Sequence, residues 1–427
     1  MLDCQVLPQY ISEVARLIII GCGPKAIAIA TKAHVLEKLG WNVPEVVIID
    51  KHGPAANWDG TNGYTDGDSL LGTTPLEDMG FPYDSQIDKS VDEAMLGFSY
   101  MAYMVDIGKY VEWVDRSLYP PTHGMLADYY KWVVKKIGMP LTAGSVTAVS
   151  LKDSQWSVAY EDNSGTQEIS GDGLVITGPG EPYRFPRTET SQSEDRIFNG
   201  QNIWHNLHIF KDMKNAKIAV IGAGETSAGI MTGLLNLIDN SSQIEIITRH
   251  PILFTRNENW MEVMYFSNVM NWSELTKREK TEIIRHVDRG TFSAAAKNLL
   301  DSVYNVSMLL GNAEKIEGAN DKVHAILSDK DGGHRQVEYD YIIEATGFDP
   351  LSFTKFFPDK SLFDEPHSLH ERIDRDLSVI GLPAKLHVPG LSAMAQGPGF
   401  PNLSCLGLLA ERILTSYIAK TTAQPTS

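Results

Sequence analysis

The feature that most constrains the fold of this chain is a glycine-rich turn that occurs twice, in distant parts of the sequence. Each copy follows a short apolar run typical of a buried parallel strand and precedes a segment with helical spacing. In that context the first glycine permits a tight turn, the second lets the backbone approach a pyrophosphate, and the third, small residue lets the helix pack on the strand. Six positions define the two turns: Gly21, Gly23, Ala26, Gly222, Gly224 and Ser227.

The two turns predict an α/β fold with two Rossmann-like dinucleotide-binding domains. The helices that follow begin near Pro24 and Glu225, and their first N–H groups and positive dipole ends suit phosphates. We therefore expect Pro24, Glu225 and Thr226 to lie beside bound cofactors. One such turn is a weak signal. Two in one chain indicate two dinucleotides, and electron transfer between them is the usual reason.

Charged residues that follow the second strand of each unit distinguish the two sites. The run "EVVIID" ends at Asp50, next to Lys51, and a carboxylate there accepts hydrogen bonds from ribose hydroxyls and repels a 2′-phosphate. The run "QIEIITRH" reaches Arg249, whose guanidinium fork matches the oxygens of a 2′-phosphate. We interpret the first site as FAD-binding and the second as NADPH-binding. The alternative is that these are solvated loop charges.

Composition narrows the class of protein. The chain has 427 residues, 43% of them hydrophobic, and a formal net charge of −17, which argues against nucleic acid or an anionic membrane surface as a partner. No apolar stretch is long enough to span a bilayer, and no signal peptide is evident. Cys4, Cys22 and Cys405 are too widely spaced for a zinc site or a redox dithiol. We expect a cytoplasmic enzyme without a metal.

The positions of the turns predict the domain organisation. Residues 1–211 form the first part of the FAD-binding domain, and residues 336–427 complete it. The NADPH-binding domain covers 212–335. Within it, a charged, helix-rich stretch at about 256–310 is predicted to be a substrate-side insertion rather than part of the sheet.

These motifs resemble those of the class B flavin monooxygenases, and within them the N-hydroxylating branch, the ornithine and lysine hydroxylases of siderophore biosynthesis. "NWDG" places Trp58 where that branch has a Trp beside the flavin, and "GAGETSAGIM" is similar to its phosphate-site pattern. Arg249 falls where the family has an Arg for the 2′-phosphate. "DYIIEATGF" is similar to the branch's D-x3-[LF]-ATG-[YF] pattern, with Glu344 at the Leu/Phe position.

The resemblance implies further site residues. Thr346 and Gly347 of the ATG pattern are expected to contact cofactor. Gly397, in "QGPGFP", either lets the backbone approach the flavin or simply forms a turn.

The chain departs from the family where the substrate is expected. The ornithine hydroxylases hold the α-carboxylate of the substrate with a Lys in an L-K-D-L motif, whereas "PLEDM" places Glu77 there. Two family Asn residues that hold ornithine align with Met261 and Thr291. Because like charges repel, we expect the enzyme not to bind ornithine in the usual pose. The alternative is that "PLEDM" is a surface loop.

The resemblance implies that NADPH reduces FAD, that the reduced flavin forms a C4a-hydroperoxide with O2, and that the distal oxygen passes to a small primary amine. Such an amine reacts only when neutral, although its pKa in water is about 10. The sequence does not name the amine, and a homo-oligomer is expected by analogy with relatives.

Other interpretations stay open at this stage. A related enzyme could oxidise a ketone or sulfide, but the fingerprint of that class needs a His where Trp204 follows Phe198 and Gly200. A disulfide reductase would need paired cysteines. A flavin-binding regulator without activity would not need two intact phosphate sites.

Overall fold

The structure is a computed structural model that describes ten stretches of the chain: residues 14–62, 64–187, 194–255, 260–267, 269–287, 291–292, 294–319, 321–329, 332–363 and 366–420. Cys4 lies outside the described residues.

The first unit is built on a five-stranded parallel sheet, whose strands lie in the order β21 (Lys385–His387), β8 (Gly173–Ile176), β1 (Arg16–Ile20), β3 (Glu45–Asp50) and β4 (Thr142–Ala143). Leu17, Ile18 and Ile19 in its central strand have no exposed surface, as expected for a parallel sheet covered on both faces. Before the chain passes into the second unit, the strands of the first unit are β1 (Arg16–Ile20), β2 (Trp41–Asn42), β3 (Glu45–Asp50), β4 (Thr142–Ala143), β5 (Ser145–Lys152), β6 (Gln155–Asp162), β7 (Gly165–Gly171), β8 (Gly173–Ile176) and β9 (Glu181–Pro182). Its helices there are α1 (Pro24–Lys38), α2 (Lys89–Met95), α3 (Tyr100–Asp106), α4 (Tyr110–Asp115) and α5 (His123–Ile137).

The second unit repeats this plan with a five-stranded parallel sheet in the order β10-β19-β11-β12-β15. Its strands are β10 (Ile197–Asn199), β11 (Lys217–Ile221), β12 (Gln243–Thr248), β13 (Phe254–Thr255), β14 (Thr291–Phe292), β15 (Val306–Leu310), β16 (Asn312–Ala319), β17 (Lys322–Ser328), β18 (His334–Tyr339) and β19 (Tyr341–Glu344). Its helices are α6 (Ile203–Asn206), α7 (Glu225–Leu235), α8 (Trp260–Ser267), α9 (Val269–Glu274), α10 (Lys277–Val287) and α11 (Ala294–Asp301).

The chain then returns to the first unit through β20 (Phe348–Asp349), β21 (Lys385–His387), α12 (Ala393–Gln396), α13 (Leu406–Leu414) and β22 (Ala419–Lys420). Each parallel sheet is accompanied by a three-stranded antiparallel sheet, β5-β6-β7 in the first unit and β16-β17-β18 in the second. The predicted α/β fold with two Rossmann-like domains is therefore confirmed.

The boundaries of the second unit differ from the predicted range of 212–335, because β10 and β19 lie outside that range and yet pair in its sheet. Both strands are short and adjoin irregular connections, so their place in the second sheet was not evident from the sequence. We therefore propose boundaries near residues 197 and 344. The predicted insertion at 256–310 contains α8 to α11, but it ends before β15, which belongs to the sheet.

The insertion packs on the first unit as well as on the second. The carbonyl oxygen of Phe266 in α8 accepts a hydrogen bond from the N–H of Gly399 at 3.1 Å, and Trp272 Nε1 donates to the carbonyl of Met394 at 3.1 Å. It therefore bridges the two units. Among the helices in the described part of the chain, none combines the length and the apolar character of a membrane span.

A buried ion pair fastens the C-terminal helix to the helix that follows the first glycine turn. Lys32 Nζ in α1 lies 2.9 Å from Glu411 Oε2 in α13, and the two side chains are 2% and 5% exposed. Glu411 Oε1 also accepts the N–H of Gln86 at 2.7 Å. Removing one partner of a buried ion pair leaves the other charge uncompensated, so the loss of either side chain alone destabilises the fold.

We predict that Lys32→Met lowers the free energy of unfolding by about 3–5 kcal/mol, because it leaves the Glu411 carboxylate buried and unpaired. Urea unfolding of the purified protein measures this. Lys152→Met, which removes an exposed pair with Glu168, is the matched control and should leave the transition nearly unchanged. If the two variants unfold at the same denaturant concentration, the buried pair does not have the structural role described.

Candidate functional site

One cavity of about 1280 Å³ is lined by both glycine turns. Gly21 follows the last residue of β1, and Gly222 follows the last residue of β11. Because parallel strands present their carboxyl ends at one edge of a sheet, the two sheets turn their ligand-binding edges toward the same space. The cavity is where two dinucleotides would meet.

The first turn has the backbone and the free space that a pyrophosphate needs. Gly21 has φ +95°, and a Cβ there would lie 2.7 Å from Thr177 Oγ1, so the position requires glycine. A Cβ on Gly23 would meet no atom within 4 Å, which marks open space beside the turn. Helix α1 begins at Pro24 without a side-chain cap, so its first N–H groups face the cavity edge. The turn fits a dinucleotide.

Asp50 organises the same turn. Its Oδ2 accepts the N–H of Cys22 at 2.8 Å, and its Oδ1 accepts those of His52 at 2.7 Å and Gly53 at 2.8 Å. A carboxylate has about four acceptor positions, so three are used by the backbone. The expected bond to ribose stays a prediction, and the role that the structure shows is to join the end of β3 to the glycine turn.

The second turn repeats these features. Gly222 has φ +133°, and a Cβ there would overlap the carbonyl oxygen of Ala345. Helix α7 begins at Glu225 without a side-chain cap. Thr346 Oγ1, which belongs to a lining residue of the cavity, is buried and has no hydrogen-bond partner within the described structure. Since buried hydroxyls are rarely left unpaired, this end of the cavity fits a second polar ligand.

Aromatic side chains form part of the cavity wall. Trp58 lines the cavity as predicted, and its ring meets the edge of His123 with centroids 5.1 Å apart. His123 Nδ1 lies 2.7 Å from Thr65 Oγ1, and burial lowers the pKa of His123. The ring of Tyr64 packs edge-on against the ring of Phe348, with centroids 4.4 Å apart. This contact joins a loop of the first unit to the segment in which the chain returns from the second unit. A low-dielectric wall of this kind favours neutral groups over charged ones.

Most predicted cofactor residues do line this cavity. They are Gly21, Gly23, Pro24, Asp50, Lys51, Trp58, Gly222, Gly224, Glu225, Thr226, Arg249, Thr346 and Gly347. Ala26 is fully buried beneath the turn, which agrees with the packing role expected for a small residue there. Ser227 lies in the first turn of α7 behind the lining residues.

Gly397 is placed differently from the prediction. It has φ +114°, and a Cβ there would lie 3.2 Å from the carbonyl oxygens of Tyr265 and Phe266. The close approach that demands glycine is therefore to helix α8 of the insertion, and Gly397 is not among the described residues that line the cavity.

Of the three predicted substrate residues, the two whose side chains the structure describes do not line the cavity. Glu77 is half-buried and accepts a hydrogen bond from Thr73 Oγ1 at 3.0 Å. Its neighbour Asp78 is buried and accepts the Tyr100 N–H at 2.9 Å, so "PLEDM" is a packed loop rather than a surface one. Met261 is 54% exposed on α8. Thr291 lies in β14, and its side chain is outside the described structure. Within that structure, neither Glu77 nor Met261 lines the cavity.

Glu344, at the Leu/Phe position of the family pattern, joins the two connections between the units. Its Oε1 accepts the N–H of Phe185 at 2.8 Å, and its Oε2 lies 2.8 Å from Arg187 Nη2. Burial raises the pKa of Glu344, and the nearby Arg187 opposes that shift. Strands β9 and β20 of the two connections also pair with each other. These contacts link the two connecting segments at this point.

Sequence reasoning missed several lining residues. Lys25 follows the first turn, and its Nζ donates to the carbonyl of Pro401 at 2.6 Å. His123 and Arg285 come from α5 and α10. Lys25 could have been found from its place inside the motif. The other two carry no local signal, because only the tertiary fold brings those helices to the cavity.

Comparisons with known proteins agree with this geometry. A family model described as L-lysine 6-monooxygenase/L-ornithine 5-monooxygenase matches residues 13–350. The chain is 34% identical over 421 residues to the L-lysine N6-monooxygenase MbtG of Mycolicibacterium paratuberculosis, which covers 95% of this chain and 96% of MbtG.

The chain belongs to the lysine/ornithine N-monooxygenase family.

Solved structures show the same architecture. Lysine monooxygenase NbtG from Nocardia farcinica superposes with a TM-score of 0.82 at 34% identity, covering 94% of this chain and all of that chain. The ornithine N-hydroxylase KtzI from Kutzneria sp. 744 shares the fold with a TM-score of 0.74 at 14% identity, covering 95% of this chain and 99% of that chain.

Family membership confirms the predicted flavin-dependent N-hydroxylating monooxygenase of siderophore biosynthesis, which uses FAD and NADPH and acts on a small amine. It selects this activity over ketone or sulfide oxidation, disulfide reduction and a regulator without activity. The bound cofactors supply hydride transfer and oxygen activation.

The residues of the chain would bind and orient the two cofactors. The uncapped N-termini of α1 and α7 would offer N–H groups to the two pyrophosphates. Asp50 holds the first turn in shape through three backbone N–H groups. The aromatic rings of Trp58, Tyr64 and Phe348 line the cavity and would give the bound groups a partly apolar wall.

The two glycines of the first turn should respond differently to substitution. We predict that Gly23→Ala leaves the apoprotein as stable as the wild type but lowers its FAD affinity, because the methyl group enters the open space beside the turn. Gly21→Ala should destabilise the apoprotein by roughly 1–2 kcal/mol, because a left-handed backbone position is penalised for any side chain.

Flavin content after purification and urea unfolding of the apoprotein measure these effects. Equal losses of stability in the two variants would contradict the distinction drawn between an open position and a crowded one.

Proposed function

We propose that this enzyme hydroxylates L-lysine at the side-chain amine. The observation that carries the proposal is the match with proteins named L-lysine N6-monooxygenase, which extends over almost the full length of both chains at 34% identity. A match confined to the glycine turns would support only the fold. This one covers 95% of this chain and 96% of MbtG, so it includes the loops and the insertion as well as the glycine turns.

The cavity offers a cation that suits an amino acid. Lys25 lines it beside Pro401, Asn402 and Leu403, and its Nζ donates to the carbonyl of Pro401 at 2.6 Å. The α-carboxylate of lysine loses its water on entering the cavity, so it needs a positive partner there. We propose that Lys25 contributes that charge.

A diamine is the second candidate, and Glu77 favours it. The charges of Glu77 and Lys25 both act on the fully buried Cys405 thiol, whose pKa burial raises, so they lie in one region of the first unit. Glu77 does not line the cavity, but a carboxylate in this region would attract the second ammonium of a diamine and repel the carboxylate of an amino acid across the cavity wall. Cadaverine, which is lysine without its carboxylate, separates the two candidates.

The test is hydroxylamine formation, measured together with NADPH oxidation and oxygen uptake, for L-lysine, L-ornithine and cadaverine. We predict the highest kcat/KM with L-lysine. With L-ornithine, kcat/KM should be lower by about tenfold or more, because its side chain is one methylene shorter. Hydroxylamine formation distinguishes coupled turnover from the release of hydrogen peroxide.

Each outcome decides between the proposals. Cadaverine as the best substrate would overturn lysine in favour of the diamine, and Glu77→Gln should then reduce the efficiency with cadaverine but not with lysine. NADPH oxidation without hydroxylamine from any of the three amines would contradict both candidates.

We also propose that the enzyme works as a homo-oligomer in the cytoplasm. Helices α3 and α4 expose apolar side chains, namely Met101, Val105, Val111 and Val114 at 43%, 59%, 70% and 44%. Neighbouring exposed apolar residues of this kind are typical of protein interfaces. Cys22 and Cys405 are free buried thiols, which fits a reducing compartment.

We predict that Val111→Glu shifts the enzyme toward the monomer in sedimentation velocity at micromolar concentration, because it buries a charge at the contact. Ile380→Glu, at an exposed apolar residue of the C-terminal segment, is the control and should leave the distribution unchanged. A wild-type enzyme that sediments as a monomer at every concentration would rule out the oligomer.

A further inference from the structure

Basic side chains from two separate elements meet at the carboxyl end of β12. Arg249 and His250 directly follow that strand, whereas Arg285 lies on α10 in the helical insertion. All three line the cavity that also contains the second glycine turn. The sequence motif predicts one guanidinium here, that of Arg249. The insertion adds a second one, that of Arg285.

Contacts hold the Arg285 guanidinium in place. Its Nη2 lies 3.3 Å from His250 Nδ1, and because a guanidinium has donors only, the imidazole nitrogen is the acceptor. Its Cζ lies 5.6 Å from the centre of the Phe254 ring, within the range of a cation–π contact. Phe254 lines the cavity as well. The guanidinium is therefore oriented by an imidazole and by an aromatic ring.

The part of the described cavity wall beyond β12 carries positive charge without a carboxylate. Among the lining residues that the structure describes, the carboxylates are Asp50 and Glu225, and each lies next to a glycine turn. The wall beyond β12 instead carries the guanidinium groups of Arg249 and Arg285. Bringing like charges together costs energy unless an anion joins them, so this end of the cavity is suited to a phosphate.

Rossmann geometry identifies which phosphate fits. A dinucleotide whose pyrophosphate lies at the start of α7 places its adenosine ribose at the carboxyl end of the adjacent strand, which here is β12. The 2′-position of that ribose then faces the residues that follow Thr248. A phosphate on it has three oxygens, which is enough for two guanidinium forks.

We propose that Arg285 is a specificity-determining residue for NADPH, binding the 2′-phosphate together with Arg249. The helical insertion is then part of the nucleotide site and not only a substrate-side element. This inference concerns the nucleotide and does not depend on which amine is hydroxylated.

The helix that carries Arg285 also contacts the first unit. Lys277 Nζ, at the start of α10, lies 2.6 Å from Glu371 Oε1 in the segment that returns to the first unit. The pair is exposed, so it adds little stability, but it shows that α10 reaches both units.

The experiment compares ligands with and without a 2′-phosphate on the FAD-loaded enzyme. Isothermal titration calorimetry gives the affinities of 2′,5′-ADP, NADP+, 5′-AMP and NAD+ for the wild type and for Arg285→Gln. We expect Arg285→Gln to weaken 2′,5′-ADP and NADP+ by about 10- to 100-fold, the range for a lost charge-assisted hydrogen bond. Affinity for 5′-AMP and NAD+ should not change.

Arg278→Gln is the matched control, because Arg278 is exposed on the same helix and does not line the cavity. It should bind all four ligands like the wild type. Arg285→Lys keeps the positive charge but loses the fork, so it should weaken 2′,5′-ADP by a smaller factor than Arg285→Gln. It also provides the test if the glutamine variant fails to fold.

Two results would overturn the proposal. One is an Arg285 variant that binds 2′,5′-ADP as tightly as the wild type. The other is an equal loss of affinity for ligands with and without the 2′-phosphate, which would mean that Arg285 supports the structure of the site without contacting that phosphate.

Discussion

The first residues of helices α1 and α7 line one cavity, and the arrangement of both units depends on that convergence. Each helix end presents uncapped N–H groups and a positive dipole end, and each is reached through a glycine with positive φ that no other residue could replace without strain. Two dinucleotides held in this way enter the cavity from different sheets. Their redox rings can then meet in the space between.

The connections between the units preserve that geometry. Strands β9 and β20 pair, Glu344 ties Arg187 to the end of β19, and Tyr64 packs on Phe348. The insertion adds contacts on the other side through Phe266 and Gly399. A flavin monooxygenase must keep water from its reactive flavin, and a cavity shared by two units is shielded only while the units hold their relative position.

The sequence predicted those parts of the site that are encoded locally. A turn such as Gly21-x-Gly23 specifies its own backbone, and Asp50 and Arg249 follow strands at fixed distances from the turns. Arg285 and His123 could not be predicted, because their helices reach the cavity only through tertiary packing. Gly397 was predicted either to approach the flavin or to form a turn, and the backbone it approaches belongs to α8, a contact between segments distant in sequence. Glu77 was identified as a departure from the family, but its packing could not be read from the motif.

The central claim is that the two nucleotide sites bring NADPH to a bound flavin in one cavity. The most direct test is anaerobic mixing of the FAD-loaded enzyme with NADPH while the flavin absorbance is followed. The structure predicts that NADPH bleaches the flavin without any amine present, and that NADH does so far less efficiently because it lacks the 2′-phosphate. A flavin that stays oxidised with saturating NADPH would contradict the account.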